Sequence, residues 1–294
     1  MPVDTANSET GLSLSLITNL VVAFMQGPDN DLQMPDGPEP AFATPLIGVS
    51  SGADPLWSQY KTHVGDFHWT PQEAYALAFP DKNIAPEELS VITWILPQTE
   101  ATKKCQRREK RFPAERWIHS KLIGEKSVNS GLRRHLVREV GALGVDALAP
   151  VLLDAWSYMD SERFVYASKW SERHAAYAAG LGTFGLCDGL ITPVGKAVRV
   201  GSVVVACKLP VAERPYTSHR EYCLFFNSGG ICGKCIKRCP AGALSPKGHD
   251  KILCNRYAYD EADKHAMTMY GTKADSCGLC QTGVPCESGV PKAK

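Results

Sequence analysis

The clearest periodicity in the chain runs from Asn129 to Gly144, where Leu132, Leu136, Val137, Val140 and Leu143 recur at helical spacing. Asn129 or Ser130 stands ready as the cap and glycines close the end. This pattern predicts a helix that packs one face on a core. A second apolar run, Leu12 to Met25, is broken by Ser13, Ser15, Thr18 and Asn19 and is too short to span a bilayer, so it also reads as a core helix. Three stretches carry strand signals: the apolar Ser90–Pro97, the run from Val145 to Leu153, and the valine-rich Gly201–Leu209. Ser171 can cap a short helix from Glu172 to Ala179, closed by Gly180. Strands alternating with helices place the middle of the chain in the α/β or α+β class. Residues 27–57, rich in Pro, Gly and Asp, predict irregular connection, with a substrate-covering lid as the alternative.

Composition adds bounds to that pattern. The 294 residues hold one large domain or two ordinary ones, and an apolar content of 44% suffices for a core. A net charge of +1 argues against a dominant nucleic-acid surface. The opening MPVDTANSETG lacks the positive charge of a secretory or twin-arginine signal, which leads to the expectation of a reducing cytoplasm. Lys103 to Arg116 is locally basic. A solvated helix face is the default for such a run, and a contact surface for an acidic redox partner or a phosphate-bearing ligand is the alternative.

The chemistry concentrates near the end. Eight of the eleven cysteines fall between residues 223 and 286, including the pairs Cys232-x-x-Cys235 and Cys277-x-x-Cys280. Such a pair turns both sulfurs toward one metal centre. Cys232, Cys235 and Cys239-Pro240 reproduce the tail of the bacterial ferredoxin motif, while Gly229 stands where its first cysteine belongs, so Cys223 must reach in from a longer loop. The spacing leads to two four-iron clusters, one on Cys223, Cys232, Cys235 and Cys286, the other on Cys239, Cys254, Cys277 and Cys280. Zinc usually takes two pairs rather than eight cysteines, and disulfides call for an export signal. Of the other cysteines, Cys187 follows a glycine-rich loop, and a small buried hydrophobe is its default role, as for Cys105 and Cys207. The glycines at 180, 182 and 185 let backbone pass close to a ligand, but a helix precedes them, opposite to the order of a dinucleotide site.

The stretch Ala179–Gly185 followed by Leu190-Ile-Thr-Pro193 and then by the cysteine motif resembles the epoxyqueuosine reductase and reductive dehalogenase superfamily over roughly residues 90 to 290. The resemblance implies an α+β, nitroreductase-like cobalamin-binding domain at 58–215, preceded by a helix and irregular segment at 1–57. A ferredoxin-like domain with two [4Fe-4S] clusters would follow at 216–294. It implies corrin contacts from Gly180, Leu181, Gly182, Phe184, Gly185, Leu190, Ile191 and Thr192, and a proton donor six residues before Glu172, which is Tyr166. Tyrosine, with a pKa near 10, needs a cation beside it, and Lys169 and Arg173 are the local candidates; a plain packing aromatic is the competing reading of Tyr166. Cys187 could face the corrin, and His174 reads as structural rather than as a cobalt ligand.

Two features depart from the family. Tyr166 replaces the aspartate of epoxyqueuosine reductases, and five residues rather than three separate Cys280 from Cys286. The leading expectation is a cytoplasmic cobalamin-dependent iron-sulfur reductase of a small organic molecule, with reductive dehalogenation as its main case and a ferredoxin or flavodoxin as donor. Tyr166 and the absence of a helical RNA-binding extension favour it. Epoxyqueuosine reduction on tRNA and non-catalytic electron transfer, including reduction of a partner's corrinoid, are the alternatives.

Overall fold

The computed structural model describes residues 11–292, and residues 1–10 with their lack of positive charge lie outside it. Its strands are β1 (Leu46–Ser51), β2 (Ser90–Pro97), β3 (Ala147–Leu148), the hairpin β4 (Tyr158–Ser161) with β5 (Val165–Ser168), the pair β6 (Thr183–Phe184) with β7 (Leu190–Ile191), and β8 (Val198–Val205). A four-stranded antiparallel sheet in the order β1-β2-β8-β3 forms the centre. Helices α1 (Leu14–Gln26), α2 (Leu56–Val64), α3 (Pro71–Ala78), α4 (Glu100–Arg108), α5 (Glu115–Ile123), α6 (Ser130–Ala142) and α7 (Glu172–Ala178) surround it. The architecture is mixed α+β.

β2 is buried at every position, as a strand covered on both faces must be, which explains its unbroken apolar sequence. Ile92, Trp94 and Leu96 face α1 and α6, joining Ile17, Val21, Leu132, Leu136 and Val140. On the other face Val91 and Val204 meet Trp57, Tyr60, Tyr75 and Trp170, while Ile95 meets Ala176 and Ala179 at the end of α7. Each such large apolar side chain contributes about 1.5–3 kcal/mol by leaving water.

Several expectations shift. Residues 27–57 are not irregular throughout, because β1 lies among them as a sheet edge and α2 starts at Leu56. The helix predicted from Asn129 starts far earlier: α5 runs through a π-helical segment, Gly124–Asn129, into α6. Asn129 therefore caps nothing. Its Oδ1 accepts from Trp94 Nε1 at 2.8 Å and its Nδ2 donates to Val200 O at 3.1 Å. The strand expected over 145–153 shrinks to two residues because Pro150 opens a 3₁₀ turn, and the strand expected from Gly201 begins at Val198.

Beyond β8 the elements become short: α8 (Leu224–Asn227), α9 (Lys234–Lys237), α10 (Lys251–Arg256) and α11 (Ala262–Tyr270), with a second π-helical segment, Tyr257–Glu261, joining the last two. This segment docks on the basic stretch that sequence suggested was solvated. Gln106 Nε2 donates to Cys277 O at 2.8 Å and Lys103 Nζ to Ser288 Oγ at 2.8 Å, while Arg107 pairs with Glu287 at 3.2 Å. From the other side Arg238 donates to Gln106 O, Glu109 O, Leu279 O and Thr282 O. The basic residues Lys103 and Arg107 thus hold two parts of one molecule together.

Candidate functional site

Cys223, Cys232, Cys235 and Cys286 line one small cavity, closed on the other side by Leu186, Ile191 and the stem of Lys196. Cys223 precedes α8, and Cys235 sits inside α9. Cys286 is fixed by strand-like bonds from Lys196 N to Cys286 O (2.9 Å) and from Ala197 N to Glu287 O (3.3 Å). Gly195, at φ +92°, is required for that approach, since a Cβ would overlap the carbonyl of Glu287. Glu287 folds back to accept from Gly283 N at 2.5 Å, which ties off the longer Cys280–Cys286 loop.

Burial pushes the Cys235 thiol up to about 12 and the Cys286 thiol up to about 11. Thiols in so apolar a cavity ionise when a bound metal replaces the lost solvation. Among the described residues no three His, Cys, Asp or Glu side chains close on a point as a single ion requires. Four thiols set around a space fit a multi-iron cluster better than one tetrahedral zinc.

Cys239, Cys254 and Cys277 form a second neighbourhood. Burial, then the charges of Cys254 and Cys239, raise the Cys277 thiol to about 12. Cys280 stands between the two groups, hydrogen-bonded to Cys187 and under the influence of Lys196 and Cys277. Cys187 is buried and accepts from Lys196 Nζ at 3.3 Å. Burial works against the charge of Lys196, yet the nearby sulfurs of Cys187, Cys286, Cys280 and Cys235 outweigh it and raise its pKa, while the Cys280 hydrogen bond and Lys196 hold Cys187 well below the usual thiol range.

Beside the second group three tyrosine rings gather. Tyr166 on β5 meets Tyr158 on β4 edge-on at 6.0 Å. Lys251 Nζ donates to Tyr166 O at 2.8 Å and lies 5.0 Å from the centre of its ring, and Asn255 Nδ2 donates to the Tyr166 hydroxyl at 3.3 Å. Both partners come from α10, whose Cys254 belongs to the second thiol group. The third ring, Tyr259, comes from the π segment of α10–α11, and Tyr158 and Tyr166 both act on its titration after burial. The other π segment supplies Glu125, whose carboxyl burial pushes up but Arg133, Arg199 and Lys121 hold below its ordinary range. Arg199 Nε and Nη2 are buried with no hydrogen-bond partner. π segments concentrate at functional sites, and here one carries Tyr259 while the charge of Glu125 on the other reaches Tyr158.

Other residues expected at the site are placed differently. Lys169 Nζ donates to Ala155 O at 2.9 Å and Arg173 Nη1 to Asp188 O at 2.7 Å, although the charge of Arg173 still reaches Tyr158. The cation against Tyr166 is Lys251, 85 residues downstream, which no local spacing could indicate. His174 is half-buried among Tyr60, His68 and Phe184, with Ser171 Oγ 2.7 Å from its Nδ1.

The glycine loop is tight against the protein itself. Side chains at Gly180 and Gly182, at φ +76° and +158°, would overlap the carbonyls of Glu213 and Ile191. Gly185 N donates to Gly189 O at 2.8 Å. Leu190 and Ile191 pair with Phe184 and Thr183, Leu181 and Leu190 lie in an apolar cluster, and Thr192 Oγ1 donates to Gly195 O at 2.7 Å. Most of these backbone and hydroxyl groups are engaged within the fold and are not free as donors to a polar ligand. The unpartnered Nε and Nη2 of Arg199, within reach of Tyr259, are such donors.

No protein-family model and no curated protein matches the chain. Solved structures do. The catabolic reductive dehalogenase NpRdhA aligns with a TM-score of 0.51 at 14% identity, over 94% of this chain and 37% of its own. An epoxyqueuosine reductase aligns at 0.45 and 16% identity, over 84% of this chain and 63% of its own. The epoxyqueuosine reductase from Bacillus subtilis aligns at 0.44 and 18%, over 84% and 62%. The chain thus spans less than two thirds of each of these proteins, and what it shares with the dehalogenase is the fold. Among the described residues, no helix is long and apolar enough to cross a membrane.

Proposed function

We propose that this protein is an iron-sulfur oxidoreductase in which two [4Fe-4S] clusters carry single electrons to the tyrosines around Tyr166. In this reading a nitroreductase-like body holds Tyr158 and Tyr166 and a ferredoxin-like segment from about residue 216 holds the clusters. The observation that carries it is the single cavity lined by Cys223, Cys232, Cys235 and Cys286. Cys239, Cys254 and Cys277 would hold the second cluster with Cys280. Its Cys254 lies on the same helix as Lys251 and Asn255, which touch Tyr166, so electrons would arrive next to the proton donor. Four-iron clusters reach the low potentials that such a reduction needs, and a ferredoxin or flavodoxin would supply the electrons.

Cobalamin would be held beside these tyrosines, with Arg199 and Arg173 donating to its polar side groups, and when bound it would supply a strongly reducing, nucleophilic centre. The protein's own part is to place a small organic substrate and to protonate it. Tyr166 Oη would give the proton, with Asn255 fixing the hydroxyl and Lys251 supplying positive charge at the ring as the phenolate forms. Tyr166 in the donor position favours a small substrate, with reductive dehalogenation as the first case to assay.

The test is the visible spectrum of the anaerobically reconstituted protein titrated with cobalamin, followed by turnover of Tyr166→Phe. Saturable spectral change, retained in Tyr166→Phe while turnover falls by at least about a hundredfold, is the expected result. Clusters without corrinoid binding would assign the protein to electron transfer alone. Saturable tRNA binding that weakens steeply with salt would move the substrate to epoxyqueuosine in tRNA.

A further inference from the structure

Lys196 is 3% exposed, and among the described residues its ammonium has no carboxylate partner. Its ammonium donates to Cys187 Sγ at 3.3 Å, and the cavity it lines carries Cys223, Cys232, Cys235 and Cys286 and no carboxylate. Glu287, whose carbonyl oxygen accepts from Ala197 N beside it, directs its carboxylate to Gly283 N and Arg107. A buried ammonium is unfavourable unless an anion balances it. In this cavity the groups able to become anionic are cysteines. A cluster held by four thiolates is such an anion, and it gains one further negative charge on reduction.

We infer that Lys196 is a fixed positive charge that raises the reduction potential of the cluster bounded by Cys223, Cys232, Cys235 and Cys286, so that this cluster fills with an electron before the other. The inference rests on the cluster reading above. The redox step is a one-electron transfer from a ferredoxin- or flavodoxin-class donor, which is oxidised, to the cluster, which is reduced; no bond is made or broken. Net charge near the sulfurs is one of the main determinants of such potentials. Lys196 lines this cavity, whereas among the cysteines of the other group it reaches Cys280, which stands between the two, so its effect falls mainly on the first centre. Cys187 acts as a positioning residue, since it holds the ammonium 3.3 Å from its sulfur and thereby against the cavity wall.

The experiment is an EPR-monitored redox titration of the reconstituted full chain as wild type, Lys196→Met, Lys196→Gln and Lys196→Arg, with iron and sulfide measured on the same samples. The neutral variants should lower one midpoint by about 59 mV or more, a tenfold fall in its reduced-to-oxidised ratio at fixed poise, and leave the other nearly in place. Lys196→Arg should keep the wild-type value. Unchanged midpoints at full iron content, or equal shifts of both, would overturn the inference. Failure of both neutral variants to hold iron would give Lys196 a purely structural role and overturn it too. Wild-type iron content separates the two readings: if it shows a single cluster, the two-cluster proposal fails, and the shift or constancy of that one midpoint still decides the role of Lys196.

Discussion

The sheet body and the cysteine segment are built on opposite principles. In the body, Trp57, Trp94, Trp117 and Trp170 are fully buried, and apolar contact surrounds β2 on both sides. In the cysteine segment the α-helices are four to nine residues long, and Ile231, Ile252, Met267 and Met269 stand at least half exposed. Its small cavity is lined with thiols, and it attaches to the body both through apolar contact of Phe112, Ile118 and Leu122 with Tyr257, Ala262 and Ala266 and through the polar bonds of Arg238, Gln106, Lys103 and Glu287. In the cluster reading the body folds on its own burial energy, while the segment would be completed by what its cysteines bind.

Substitutions should therefore separate the two regions. Trp94→Ala opens a cavity in the body and deletes the bond to Asn129, at a cost of about 3–5 kcal/mol. Denaturant unfolding should show one large shift of the body transition, with iron bound normally in the molecules that remain folded.

A second break in the comparison uses pH. His68, buried against the rings of Tyr60 and Trp170, has its pKa lowered to about 4, chiefly by burial. An unfolded chain takes up that proton near pH 6.5, whereas the folded chain refuses it until about pH 4. The contribution is therefore complete above about pH 6.5 and lost progressively as the pH falls toward 4, amounting to about 3 kcal/mol. His68→Phe should flatten this acid limb in tryptophan fluorescence, and an unchanged limb would remove His68 from the explanation.

The smallest of these effects sharpens the contrast from the other side. Arg238→Gln removes charged donors from four carbonyls, worth about 2 kcal/mol, with two of them, Gln106 O and Glu109 O, across the junction. Iron should be released at lower denaturant while the body transition keeps its midpoint.

The apolar pattern of Ser90–Pro97 and the helical period of 132–143 made the body legible in sequence, because burial writes itself into spacing. The gathering of cysteines was legible for the same reason: Cys-x-x-Cys is local, and Cys223, Cys232, Cys235 and Cys286 line one cavity. What sequence hid is non-local. Lys251 and Asn255 sit four apart on one helix, an i,i+4 pair open to inspection, but their partner Tyr166 lies some 85 residues upstream. Asn129 resembled a cap until a π segment carried the helix through it. Lys103 and Arg107 resembled a solvated face because Ser288 and Glu287, their partners, lie about 180 residues away. The glycines at 180 and 182 signalled close approach correctly, but what approaches is the chain's own backbone.

The central claim concerns the thiols, and iron with acid-labile sulfide per chain after anaerobic reconstitution tests it most directly. About eight iron and eight sulfide, with EPR signals of two reduced four-iron centres, is the expected result. One zinc per chain, or iron without sulfide, would contradict it.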